Sequence, residues 1–116
     1  MKDNAVYLRH IRDAIARIHA YTVGGRQEFL ARPMVQDAVM RKLEIIGEAV
    51  SKLSPEFKRR HPRTPWRRIT ALRNVLIHEY FGVDLEIVWG VVEKRLPLLK
   101  RQIDALLSST SRSRRS

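Results

Sequence analysis

From Met34 to Leu53 the chain sets Val35, Val39, Leu43, Ile46, Val50 and Leu53 at steps of three or four residues, and Leu85, Val88, Val92, Leu96, Leu99, Ile103 and Leu106 repeat that rhythm near the C-terminus. A single apolar stripe at this period is what an α-helix buries, and no segment shows the two-residue alternation of a strand. The chain therefore reads as all-α. Residues 2–20 carry a similar stripe in Val6, Leu8, Ile11, Ile15 and Ile18, ended by a turn at Thr22-Val23-Gly24-Gly25. A short helical segment is expected at Gln27–Ala31. Ser54-Pro55 and Thr64-Pro65 each place a capping side chain before a proline suited to a first helical position. The second of these helices is expected to reach about Phe81, closed by a left-handed Gly82. Asp84 should cap the last helix, and Pro97 should kink it by deleting the bond to the Glu93 carbonyl. The expectation is a helical bundle of four main helices plus short ones, a single domain over residues 1–107.

The chain's 116 residues are too few for two domains, and its 44% hydrophobic content is enough for a buried core. With no cysteine it has no disulfide, thiolate metal site or thiol nucleophile. The N-terminus shows no secretory pattern, and the longest apolar run, residues 87–92, is far short of a membrane span. A protein that does not cross a membrane is expected, compatible with the cytoplasm. The net charge is +11. Residues 108–116, SSTSRSRRS, lack large apolar groups and read as a disordered basic tail. Within the body, residues 57–78 hold Lys58, Arg59, Arg60, Arg63, Arg67, Arg68 and Arg73 without one acidic side chain. A one-sign stretch of this kind favours a polyanion, with nucleic acid and acidic membrane surfaces the usual partners.

A second apolar set on the last helix, Ile87, Val91 and Leu98, is read first as intramolecular core and otherwise as a homodimer face. The glycines form no phosphate loop, and Gly82 stands where a His78-Glu79 zinc motif would need its second histidine, so no metal or other cofactor is expected. Glu44 and Glu48 are expected to form surface pairs with Arg41 and Lys52. His10, His19 and His61 read as surface or packing residues. His78 stands apart, because Asn74 lies one turn before it on the same helical face and Arg73 supplies a cation nearby.

The run RNVLIHEYFGVD at 73–84 resembles the Arg-x4-His-x-Tyr segment of HEPN-domain ribonuclease toxins of the HepT type, including Asn directly after Arg. RKLEIIGEAVSKLSP at 41–55, PWRRITALRN at 65–74 and DLEIVWGVVEKRLPLLKRQI at 84–103 are similar to the same family in order and spacing. The resemblance implies a HEPN-like homodimer with two motifs in one basic cleft, cutting RNA without a metal. In that reading Arg73 and His78 are catalytic, Asn74 orients His78, and Lys58, Arg59, Arg60, Arg63, Arg67 and Arg68 track the RNA. It also implies a minimal nucleotidyltransferase antitoxin that adds AMP to Tyr80. Glu48 is expected to reach Arg73 across helices. Beside this stand two non-catalytic readings, a basic nucleic-acid-binding module and a structural helical adaptor dimer.

Overall fold

The computed structural model describes residues 3–79 and 82–115, those from 110 on as backbone only. Its elements are α1 (Asn4–Tyr21), α2 (Gly25–Ala31), α3 (Pro33–Lys52), α4 (Pro55–Arg60), α5 (Trp66–His78), α6 (Leu85–Gly90), a π-helical segment (Val91–Arg95) and α7 (Leu96–Arg115). The architecture is all-α, with no strand among the described residues. It is the helical bundle that the stripes call for.

Helix α3 is the centre of the bundle. It packs along α1 on one side and α5 on another, while α7 lies against α1. The stripes meet in one core: Leu8, Ile11 and Ile18 of α1, Val39, Ile46 and Val50 of α3, Leu76 of α5 and Ile103 of α7 are almost fully buried. Phe29 of α2, fully buried, closes one end against Trp89, with ring centroids 5.5 Å apart. The turn before α2 depends on Gly25, whose φ of 85° is open to glycine at no steric cost. Asn4 ties the start of α1 to the α3–α4 junction, its Oδ1 accepting from the Ser54 backbone N–H at 3.0 Å.

Several helix ends follow the sequence and others depart from it. Ser54 Oγ caps α4 by accepting from the Phe57 N–H, and Asp84 caps α6 by accepting from the Glu86 N–H. Thr64 does not cap α5 with its side chain; Pro65 itself takes the N-cap position, and the helix begins one residue later than expected. The same helix stops at His78 rather than near Phe81, because the chain turns at Glu79, whose N–H still bonds the Val75 carbonyl while the Gly82 N–H bonds Glu79. Gly82 does not take a positive φ, so the expected left-handed stop is not used. Pro97 sits in the first turn of α7, directly after the π-helical segment. A wide turn accommodates the missing N–H and the ring's clash with the carbonyl one turn back. No glycine or proline follows Pro97, and α7 runs on in helical geometry to Arg115, through the positions expected to form an unstructured tail.

Candidate active site

Helix α5 carries both candidate catalytic residues and holds them apart. Arg73 leans onto α3 at the position of Gly47: a Cβ built on that glycine would lie 2.3 Å from Arg73 Cβ, closer than two carbons approach. The missing side chain of Gly47 is thus what lets the Arg73 stem lie on the backbone of α3. From there its guanidinium meets Glu48 Oε2 at 2.8 Å and donates to Asn74 Oδ1 at 3.3 Å. The expected cross-helix pair between Glu48 and Arg73 is made.

His78 is the last residue of α5 and is exposed, its imidazole making no hydrogen bond to another described residue. Five residues of helix turn it about 140° away from Arg73. It belongs to an exposed row with Arg67, Ala71 and Asn74, spaced four, three and four apart. Asn74 shares the face of His78 as expected, yet the described hydrogen bond of its amide oxygen goes to Arg73. Tyr80 lies outside the described residues.

Around Arg73 the three central helices leave a cleft of about 340 Å³, bordered by Tyr7 and His10 of α1, Arg41, Glu48 and Lys52 of α3, and Arg73. Its cations are paired locally: Arg41 meets Glu44 at 3.2 Å, and Lys52, at 4.0 Å, shares Glu48 with Arg73, the two same-helix pairs being those the spacing implied. His10, read as a surface or packing residue, stands at this rim with its ring edge-on to Tyr7. Nothing local in the sequence marks His10, because only the pairing of α1 with α3 brings it there. Gly47 carries no mark in the stripe either, although a lone glycine within a regular helical pattern is a known sign of close packing. Among the described residues no three histidine or carboxylate side chains group as a metal's ligands would.

The basic stretch is not one surface. Lys58 is half-buried and turns back to donate to the Val50 carbonyl, at the C-terminus of α3, where a cation is favoured. Arg60 pairs with Glu56 at 2.8 Å. Arg59, Arg63, Arg67 and Arg68 are exposed and make no ion pair with a described residue. Apolar exposure is also uneven. Val75 and Ile77, beside the catalytic candidates, are each 46% exposed. In the second stripe of the last helix only Val91 joins the core, while Ile87 and Leu98 are 63% and 50% exposed, which corrects the reading of that set as intramolecular core.

A family model described as ribonuclease HepT-like matches residues 11–106, nearly the whole bundle. The chain belongs to the HepT-like ribonuclease family. Its similarity to curated proteins agrees. It is 43% identical over 101 residues to a candidate ribonuclease HepT of Thermococcus cleftensis, covering 86% of this chain and 92% of that one. It is 39% identical over 111 residues to a candidate RNase of Caldanaerobacter subterraneus, covering 92% and 96%. It is also 39% identical over 114 residues to a protein of Methanocaldococcus jannaschii named as a gamma-glutamylcyclotransferase and candidate RNase; that match covers 97% of this chain but 51% of the relative, about half its length. No solved structure matches. The HepT-like family is one of RNA nucleases, so the reaction class expected from the Arg-x4-His segment holds at the level of the family. No described helix of this HepT-like chain is long and apolar enough to cross a membrane.

Proposed function

We propose that this chain is a metal-independent endoribonuclease, the toxin of a toxin–antitoxin pair, that cuts RNA in a cleft shared by two copies. The observation that carries the shared cleft is the division of α5: Arg73 is tied to Glu48 on the α3 side, and His78 faces solvent about 140° round the helix. One copy presents its acid–base group without an arginine beside it. A second copy set against the exposed Ile77, which lies between Arg73 and His78 round the helix, brings the two motifs together and covers that side chain.

In this reaction His78 takes the proton of a ribose 2′-hydroxyl as the oxygen attacks the adjacent phosphorus. The bond to the 5′-oxygen of the next nucleotide breaks, and a protonated His78 delivers the proton that this oxygen needs. Arg73 stabilises the charge that grows on the phosphoryl oxygens. The products are a 2′,3′-cyclic phosphate and a 5′-hydroxyl, and DNA, lacking the nucleophile, is not cut. Asn74, bonded to Arg73, supports the arginine and shares the face of His78. Neutralisation by a nucleotidyltransferase that adds AMP to Tyr80, two residues from His78, is the regulatory part of this proposal. It rests on the resemblance of the 73–84 segment to the HepT type, and phosphates added there would compete for Arg73.

The test is incubation of wild-type and His78→Ala protein with a defined RNA in EDTA, with analysis of the product ends. Cleavage by the wild type alone, leaving cyclic phosphate, is the expected result. Equal cleavage by both proteins, or loss of cleavage on chelation that added metal restores, overturns the proposal.

A further inference from the structure

A second opening of the molecule lies at the other end of α5. It is a groove of about 590 Å³ between the α4–α5 connection and α7, lined by Arg60, His61 and Arg63 on one wall and Arg101, Gln102 and Ala105 on the other. Among the described residues no carboxylate lines it. Arg60 is met by Glu56 from one turn back, but Arg63 and Arg101 are exposed and form no ion pair with a described residue. The contrast with the cleft at Arg73, where Arg41 pairs with Glu44 while Lys52 and Arg73 share Glu48, is a contrast in what the chain supplies for itself. The groove is left electropositive.

Its first wall is also held in shape. The Trp66 indole N–H donates to the His61 carbonyl at 3.0 Å, and the Gln102 amide donates to the Arg63 carbonyl at 3.3 Å. The His61 ring rests on Phe57 with centroids 4.6 Å apart, and Thr64 is buried. The backbone carrying Arg63 is therefore fixed against α7 before any ligand arrives, and less ordering is needed on binding.

We infer that this groove is a phosphate-holding site for the RNA strand away from the cut, with Arg63 and Arg101 as its contacts. This rests on the ribonuclease reading for its choice of polyanion. Helix α5 begins at the groove and ends at His78, about 18 Å away by its rise. Arg67 and Arg68 are exposed in its first turn, between the two. A single strand lying on α5 with its scissile phosphate at His78 reaches the groove with a phosphate farther along, whereas a dinucleotide does not span the distance. Arg101 has no signal in the sequence because it lies on another helix, beyond the acid-free stretch, and only the docking of α7 on the α4–α5 connection sets it opposite Arg63.

The experiment compares wild type with the Arg63→Ala/Arg101→Ala double variant, and with an Arg9→Ala/Arg17→Ala variant that removes equal charge from the exposed side of α1. Binding is read by anisotropy on a long single strand made non-cleavable by 2′-deoxy substitution, across a salt series. The groove variant should bind at least about tenfold more weakly, with a salt dependence shallower by roughly 0.7 in log–log slope for each phosphate it no longer neutralises. The α1 variant should stay near wild type. In cleavage assays the groove variant should raise KM for the long strand by a larger factor than KM for a dinucleotide. Equal weakening in both variants, an unchanged salt slope, or a matching loss on the dinucleotide overturns the site. So does loss of binding to anionic phospholipid vesicles with RNA binding intact. Because the anisotropy arm is measured without cleavage, a chain that never cuts RNA can still pass it, and one that cuts RNA can fail it.

Discussion

At the level of single residues the site depends on a position with no side chain. Gly47 lets Arg73 lie against α3, and a methyl group at that position would stand 2.3 Å from Arg73 Cβ, an atom next to the backbone and not a flexible tip. Relief requires α3 and α5 to part. Gly47→Ala should therefore destabilise by about 1–3 kcal/mol, the usual cost of overpacking, and also lower RNA cleavage; melting and single-turnover assays check the two effects. Glu48 acts differently. Its side chain is half exposed, so its pair with Arg73 contributes at most about 1 kcal/mol to folding. Its role is position: Glu48→Ala should leave the melting temperature almost unchanged while lowering kcat by roughly 10- to 100-fold through a misplaced arginine. Unchanged kcat would remove Glu48 from the machinery. The pair was anticipated in the sequence as a contact across helices. The glycine beside it was not, since a missing side chain leaves no mark in an apolar pattern.

Among the helices, the stripes of α1, α3 and the last helix named the buried side chains well because burial and helical period are one constraint. The ends were less legible. Thr64-Pro65 and Gly82 carry ordinary start and stop signals, yet Pro65 became the cap itself and the chain turned three residues before Gly82. Local propensity is worth about 1 kcal/mol at such positions and yields to how the connection packs. Pro97 shows the reverse: its chemistry is absolute, and the helix widened into a π-turn around it rather than ending. The short α4 offers a test of its own electrostatics. Arg60 hydrogen-bonds Glu56 and holds its carboxyl below the usual carboxylate range. A depressed carboxylate stabilises the fold above its unfolded pKa, and that contribution is lost as pH falls through the folded value. Wild type should therefore lose melting temperature slightly more than Arg60→Ala does on acidification below the ordinary glutamate pKa; parallel curves would show that the pair does not couple to folding.

At the scale of the whole bundle, Arg73 and His78 stand on different sides of one helix, and Ile77 is left uncovered between them. If two copies close over this side chain, Ile77→Glu should lower the dimer fraction in light scattering at micromolar concentration and reduce cleavage in proportion, with helicity retained. A strictly monomeric wild type that still cuts RNA would overturn the shared cleft. The net charge of +11 adds a uniform attraction for polyanions, but its distribution decides where they settle. Near Arg73 the glutamates of α3 offset the cations, and at the far end of α5 nothing in the groove lining does. The order of residues was enough to establish the all-α class, the helices and their buried faces, and the Arg-x4-His segment, because each depends on neighbours within a few turns of chain. It took the packed bundle to settle which cations are neutralised, that Gly47 seats Arg73, that His10 borders its cleft, and that Arg101 stands opposite Arg63. Those facts depend on which helix faces meet, and side chains dozens of residues apart become neighbours only when the core closes.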